Sequence, residues 1–386
     1  MLGFSTYAAL LPELRDEWGM SNAEAGIVSG MFFAGYIGTV SLWTALTDRL
    51  DARKVYIGGS ALAAAGSAGF AFVAGGFATA LVFQVLLGIG IAATYMPGLR
   101  LLSDRISGPY QSRYIAFYTS FFGIGTALSL AMAGLITAVY GWRAAFLGSA
   151  LGPLVAAALV LALAPLPARG GARFSLQTLF PLAAWRRVLA DRASAGYTLG
   201  YMVHCLELFG SRAWMVAFIA YSASLHQGDS FPWAGAAIAA VVNLLAVPAS
   251  ILGNEVALRI GRRRWILIVM AASGSSGLLV GWAAPWHWIA VLALLIIYSM
   301  LVMAESGTLT AGLVAAAPTE LRGAAMGLYS LVGFGGGLLG PVIFGAALDV
   351  AGGAAAAHAW IVAYAAIGAG CLAAPIVARI NASAPR

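Results

Sequence analysis

The chain has 386 residues, of which 61% are hydrophobic and only 9% charged, and its mean hydropathy is +0.90. Soluble domains carry about 45–50% apolar residues, so this composition excludes an ordinary water-soluble enzyme or nucleic-acid-binding domain. The formal charge of +7 does not reverse that, because the basic residues stand in short loops between apolar runs.

The apolar runs are about 20 residues long and do not alternate. That is the length of a membrane-crossing helix and not the pattern of a barrel strand. Within lipid the chain must satisfy its backbone groups inside such helices. The first run is short: eleven residues precede Pro12, about 16 Å of helix against about 30 Å of hydrocarbon. The next runs predict helices over 23–43, 55–74, 79–101, 113–140 and 144–166. A polar, basic connection over 167–193 follows. The remaining runs predict helices over 194–222, 233–258, 265–283, 288–316, 322–348 and 357–380. The 48 glycines suit close helix packing in lipid. Cys205 and Cys371 lie inside apolar runs, and nothing in their spacing suggests a disulfide or a metal site.

Thr47 to Lys54 packs five charges into eight residues, and an echo stands 210 positions later, with Arg49 falling on Arg259 and Arg53 on Arg263. At the same offset Ser120 meets Ser330, Gly123 meets Gly333 and Gly125 meets Gly335. The chain therefore reads as a duplication, with six-helix halves at 1–166 and 194–386 related by an axis along the membrane normal. A binding site is expected near mid-membrane between the halves. On that register the seventh run has its counterpart about 16 residues before position 1. The first helix is accordingly expected to be incomplete in this chain. The expected fold is an all-α polytopic membrane protein of twelve transmembrane helices, the first truncated.

Eighteen of the 21 Lys and Arg fall in loops on one side of the membrane, two (Arg15 and Arg143) on the other, and Arg212 lies inside a helix. Basic loops stay cytoplasmic, which places both chain ends inside an inner membrane and accounts for the charge without nucleic acid.

The 47–54 loop resembles the cytoplasmic signature of the major facilitator superfamily, G-x-L-A-D-R-x-G-R-K/R, between the second and third helices. Leu46, Asp48, Arg49 and Arg53 match it, while Thr44 and Asp51 stand where glycines belong. The second copy, with Arg259, Arg262 and Arg263, keeps Gly261 but has Leu258 in place of the acid. The resemblance implies a gate: Asp48 near the N-terminus of the helix opening at Arg322, and Arg53 paired with an acid after the fourth helix, for which Asp104 is the candidate. The bland alternative is that these charges only anchor topology. In the fourth helix Gln84 replaces the proton-linked arginine of many relatives, while Gly88 and Gly90 remain. The antiporter pattern G-x-x-x-G-P-x-x-G lacks its proline at Gly123, Gly125 and Gly134. The run Gly333 to Pro341 distantly resembles nitrate/nitrite and cyanate-type transporters, although a glycine stripe also serves a close helix crossing.

Ionisable groups inside the membrane carry the functional expectation, since a buried charge is costly and faces a partner or a watery cavity. The seventh helix holds His204, Glu207 and Arg212, and the tenth holds Glu305. His204 and Glu207 are three apart and share a helix face, whereas Glu207 and Arg212 are five apart and do not. Structural ion pairing is the competing account, and Tyr118 and Asn243 read first as interhelical glue.

These readings point to a monomeric secondary transporter working by alternating access. It takes a small solute, anionic on the strength of Arg212, and runs on a proton gradient, as in a symporter. A drug or metabolite exporter is the alternative within the class. A membrane-embedded enzyme would need clustered His, Asp or Cys, and a sensor a large soluble domain. No G-x-x-x-x-G-K-S/T pattern is present to bind ATP, and no cofactor or metal is expected.

Overall fold

The computed structural model describes residues 1–106, 111–163, 180–226 and 231–383, with side chains except at 111–113, 115–117, 119–120 and 375–383. Part of the 167–193 connection, and the side chains of Arg113, Ser120 and Arg379, thus fall outside the described residues. Among the described residues every regular element is helical. In chain order they are α1 (Thr6–Glu17), α2 (Asn22–Leu46), α3 (Ala52–Val73), α4 (Phe77–Arg105), α5 (Gln111–Leu161), α6 (Leu182–Ala190), α7 (Arg192–Ser224), α8 (Gly235–Ile260), α9 (Arg262–Trp282), α10 (Trp288–Ala304), α11 (Ser306–Ala316), α12 (Arg322–Val350) and α13 (Ala357–Ser383). A 3₁₀ turn, Thr319–Leu321, precedes α12.

Among the described residues ten stretches are long and apolar enough to cross a membrane, with α10 and α11 forming one of them. α5 is 51 residues long and holds two spans, because Gly141 (φ 77°, ψ 170°) breaks it where the sequence puts a loop. That φ is open to glycine and strained for other residues. α1 differs from expectation. Pro12 lies inside it instead of ending it, and the helix has 12 residues, about 18 Å of rise. α6 was not foreseen; it lies in the stretch read as a connection and buries Val188 in a cluster with Ile266, Met270, Leu309 and Leu313.

The chain divides into two compact units: Met1–Leu10 with Met31–Leu182, and Leu11–Gly30 with Ala183–Arg386. In the first unit small residues let backbones touch. Gly88 of α4 lies on the α2 backbone at Phe32, and Gly90 lies on α3 at Ala63. Thr6 and Ser149 share a hydroxyl hydrogen bond of 2.6 Å, and Ser5 N–H donates to Ser129 Oγ at 3.0 Å. Phe70 stacks on Phe146 with centroids 3.9 Å apart.

In the second unit α7 is the most buried span. α12 runs along it, with Gly336 on the Met202 carbonyl and Gly340 on the Leu206 carbonyl. Gly26 and Gly30 meet the Pro341 and Leu338 carbonyls in the same way. Asp349, at the end of α12, caps the first turn of α2. It accepts from Asn22 N–H (3.2 Å), Asn22 Nδ2 (2.7 Å) and Ala23 N–H (2.7 Å). Those amides have no partner within their own helix. Arg15 Nη1 donates to Asn22 Oδ1 at 2.8 Å and steadies the cap.

The α7–α12 crossing yields an expected result. A methyl at Gly336 would strike the Met202 carbonyl, whereas one at Gly335 meets nothing within 4 Å. Overpacking of this kind costs roughly 1–3 kcal/mol. Gly336→Ala should therefore lower the melting temperature in detergent by several degrees, and Gly335→Ala should leave it unchanged.

Candidate functional site

α7 places His204 and Glu207 one turn apart on a face packed against other helices, and both side chains are wholly buried. Glu305 is also wholly buried and sits where the tenth span stops being a continuous helix, between α10 and α11. Its backbone stands at φ −95°, ψ −20°. A break inside lipid releases carbonyls that cost several kcal/mol if left bare. Here the Ala304 carbonyl accepts from the Trp265 indole N–H of α9 at 3.0 Å. The ladder resumes with Leu309 N–H donating to the Glu305 carbonyl at 2.9 Å. Gly253 of α8 lies directly on Ala304, which no larger residue would allow.

His204 Nδ1 lies 3.0 Å from Glu305 Oε1. Tyr201 stacks on the imidazole at 5.7 Å and on Tyr329 at 3.9 Å, and the Tyr329 hydroxyl meets Thr310 Oγ1 at 3.0 Å. The Ser273 hydroxyl of α9 donates to Glu207 Oε2 at 2.8 Å. Three ionisable groups named from sequence therefore converge. Each keeps a buried atom without a hydrogen-bond partner: His204 Nε2, Glu207 Oε1 and Glu305 Oε2. Such atoms are costly to leave bare, and acid–base groups with spare valences are what a mobile proton requires.

Arg212 stands further along α7 and is half-buried. Its polar partner is a thioether, with Nη2 3.5 Å from Met303 Sδ. A thioether is a weak acceptor, and no carboxylate pairs with this guanidinium among the described residues. Glu207 is not its partner, as the five-residue spacing implies.

The two glue candidates are engaged elsewhere. Asn243 Nδ2 donates to the Ala239 carbonyl of its own helix at 2.8 Å and touches Met215 Sδ at 3.8 Å. Tyr118 belongs to the first unit, where its hydroxyl donates to the Tyr95 carbonyl at 2.7 Å. Neither joins the acid–base cluster.

The signature loop is built differently from expectation. Arg53 does not pair with Asp104. It binds Asp51 at 3.0 Å, and Asp51 also accepts from Arg53 N–H as the N-cap of α3. Asp104 goes to Arg100, one turn earlier on α4, at 3.4 Å. Arg100 also reaches Asp48 at 2.6 Å and Thr47 Oγ1 at 2.7 Å. Its position one turn before Asp104 lets a single guanidinium serve the helix end and the loop together. Arg49 is exposed. In the second copy Leu258 removes the acid; Arg259 and Arg263 are exposed, Arg262 is half-buried, and the turn is made by Gly261 at φ 94°. Asp51 occupies the matching position of the first copy with a negative φ and does the capping that Gly261 cannot.

Sequence reasoning missed Arg100, Trp265, Ser273 and Met303 as site residues. Arg100 was counted only as a topological charge. Ser273 carried a faint signal as a polar residue in an apolar run, while Trp265 and Met303 carried none.

Membrane-length helices packed in two units, with buried ionisable groups inside them, define a polytopic membrane protein. The profile of the Major Facilitator Superfamily matches residues 1–341, and the chain belongs to that superfamily. It is similar to a niacin transporter of Acinetobacter baylyi, 24% identical over 36% of this chain and 32% of that protein. It is similar also to monocarboxylate transporter 4 of Rattus norvegicus, 26% identical over 53% of this chain and 44% of that protein. The chain thus spans less than half the length of these relatives. In fold it is similar to the crystal structure of the nucleoside transporter NupG, with a TM-score of 0.74 at 14% identity, covering 100% of this chain and 98% of that one.

Proposed function

We propose that the chain carries a small organic anion, a carboxylate, together with a proton by alternating access. One observation carries this reading: Arg212 is a half-buried cation whose polar partner, among the described residues, is a thioether. A carboxylate offers that guanidinium a two-pronged, charge-assisted partner. The relatives' names support the class, since niacin and monocarboxylates are carboxylates. Glu305 with His204, and Glu207 beside them, carry the proton. Moving an anion inward against an inside-negative potential costs about 2.3 kcal/mol per 100 mV, and a proton travelling with it cancels that charge. The Asp48–Arg100–Asp104 group, with Arg53 holding the start of α3, acts as the cytoplasmic lock. The chain functions as a monomer in the inner membrane with both termini inside.

The test is uptake into proteoliposomes with the interior alkaline, using nicotinate, lactate and uridine as probes. The expected result is accumulation of one or both carboxylates that stops when a protonophore collapses the gradient. Uptake of uridine alone would overturn the anion assignment, and uptake indifferent to the protonophore would overturn the proton.

A further inference from the structure

We propose that the break between α10 and α11, Met303 to Glu305, is the element that couples cargo to proton, and that Trp265 is the positioning residue that holds it. This rests on the carboxylate–proton reading for the identity of the two ligands, but not for the existence of the switch.

Three consecutive residues of the break each belong to a different partner. Met303 Sδ is 3.5 Å from Arg212, the Ala304 carbonyl accepts from Trp265 at 3.0 Å, and Glu305 meets His204 at 3.0 Å. The cation and the imidazole both stand on α7, while Trp265 stands on α9. An anion arriving at Arg212 takes the guanidinium from Met303, because a carboxylate is the far stronger acceptor. Met303 then leaves its place, and the adjoining turn must follow unless something holds it. Glu305 is two residues on, at the one-residue interruption, where its carbonyl accepts from Leu309 N–H at 2.9 Å. Cargo binding and the Glu305–His204 contact therefore act on one short stretch of backbone. The interruption suits this, since the stretch is held by an outside bond, Trp265 to the Ala304 carbonyl, as well as by its own ladder.

The outside bonds come from α9 and α8. Trp265 gives the one indole hydrogen bond that fixes the Ala304 carbonyl. Gly253 of α8 presses on the same residue, and a methyl added at Gly307, just past the break, would come against the Ser250 carbonyl. Trp265 is also one turn into α9, directly after the basic run Arg262 to Arg264. Movement of the break is thereby passed to the end of the span that carries the second signature loop. The titratable groups that face Glu305 are His204, Glu207 and Cys205 from α7, Tyr329 from α12 and Cys371 from α13. Of these, His204 alone bonds it.

Trp265→Phe removes the N–H and keeps an aromatic ring, and Met303→Leu removes the sulfur and keeps a similar volume. Together with Glu305→Gln they are compared with wild type, in the whole 386-residue chain, by two measurements. The first is hydrogen exchange of the 300–310 segment, ligand-free and with nicotinate, in wild type, Trp265→Phe and Glu305→Gln. We expect at least threefold faster exchange in Trp265→Phe, a changed rate in Glu305→Gln, and loss of the nicotinate response in Trp265→Phe. The second is the proton-to-nicotinate ratio in vesicles with a trapped pH dye. It should fall at least threefold in Trp265→Phe while nicotinate affinity stays within about twofold. Met303→Leu should bind nicotinate more tightly, since the competitor for Arg212 is gone. Wild-type exchange at 300–310 in both Trp265→Phe and Glu305→Gln would overturn the proposal. A wild-type protein that ignores nicotinate, with the exchange changes intact in the two variants, would support the switch and overturn only the carboxylate reading.

Discussion

Arg212→Ala is expected to abolish carboxylate binding. Losing one side of a desolvated charge pair costs about 2–5 kcal/mol, which is roughly 30-fold to several thousand-fold in dissociation constant. Equilibrium binding of labelled nicotinate to the detergent-solubilised protein reads this directly. The fold should survive, because among the described residues Arg212 bonds Met303 Sδ and no carboxylate pairs with it. A melting temperature close to wild type therefore separates lost binding from lost folding. Arg212→Lys keeps the charge but loses the planar fork, so an intermediate affinity is expected, weaker by about tenfold. Unchanged binding and transport in Arg212→Ala would instead point to a neutral or cationic cargo.

The spans were legible because lipid demands long apolar runs and the sequence supplies them. The limits of α7, 194–222 in sequence and Arg192–Ser224 in structure, agree to two residues, since Asp191 caps one end through Ser194 N–H at 2.8 Å. The break in the tenth span was not legible. Residues 288–316 read as one apolar run with Glu305 inside it, and no proline marks position 305. The break is held from outside, by Trp265 and Gly253, which are close in space and remote in sequence. The partner of Arg53 failed for a related reason. Charge neighbours in a loop are chosen by helix register, and Arg100 stood one turn before Asp104 on α4. His204, Glu207, Arg212 and Glu305 could be named one by one because ionisable residues are rare in these runs. Their pairing could not be read, because His204 and Glu305 lie 101 residues apart.

Glu305→Gln is expected to keep cargo exchange and to lose accumulation. If one proton accompanies one anion, no net charge moves, and a one-unit pH gradient is worth about 1.4 kcal/mol. That sustains about tenfold accumulation at equilibrium. The glutamine amide has the same shape and its oxygen can still face His204 Nδ1, but it cannot take up and release a proton. The accumulation ratio should therefore fall from about ten to about one, while exchange of internal for external nicotinate continues, since exchange needs no net proton movement. The proposal places the proton on Glu305 and not on Glu207. Glu305 meets His204 at the interruption of its span, whereas Glu207 accepts from the Ser273 hydroxyl within an unbroken helix. Glu207→Gln should accordingly retain most of the tenfold ratio. The reverse pattern, with accumulation lost in Glu207→Gln and kept in Glu305→Gln, would transfer the proton to Glu207 and leave the His204–Glu305 bond as a structural tie between α7 and the broken span.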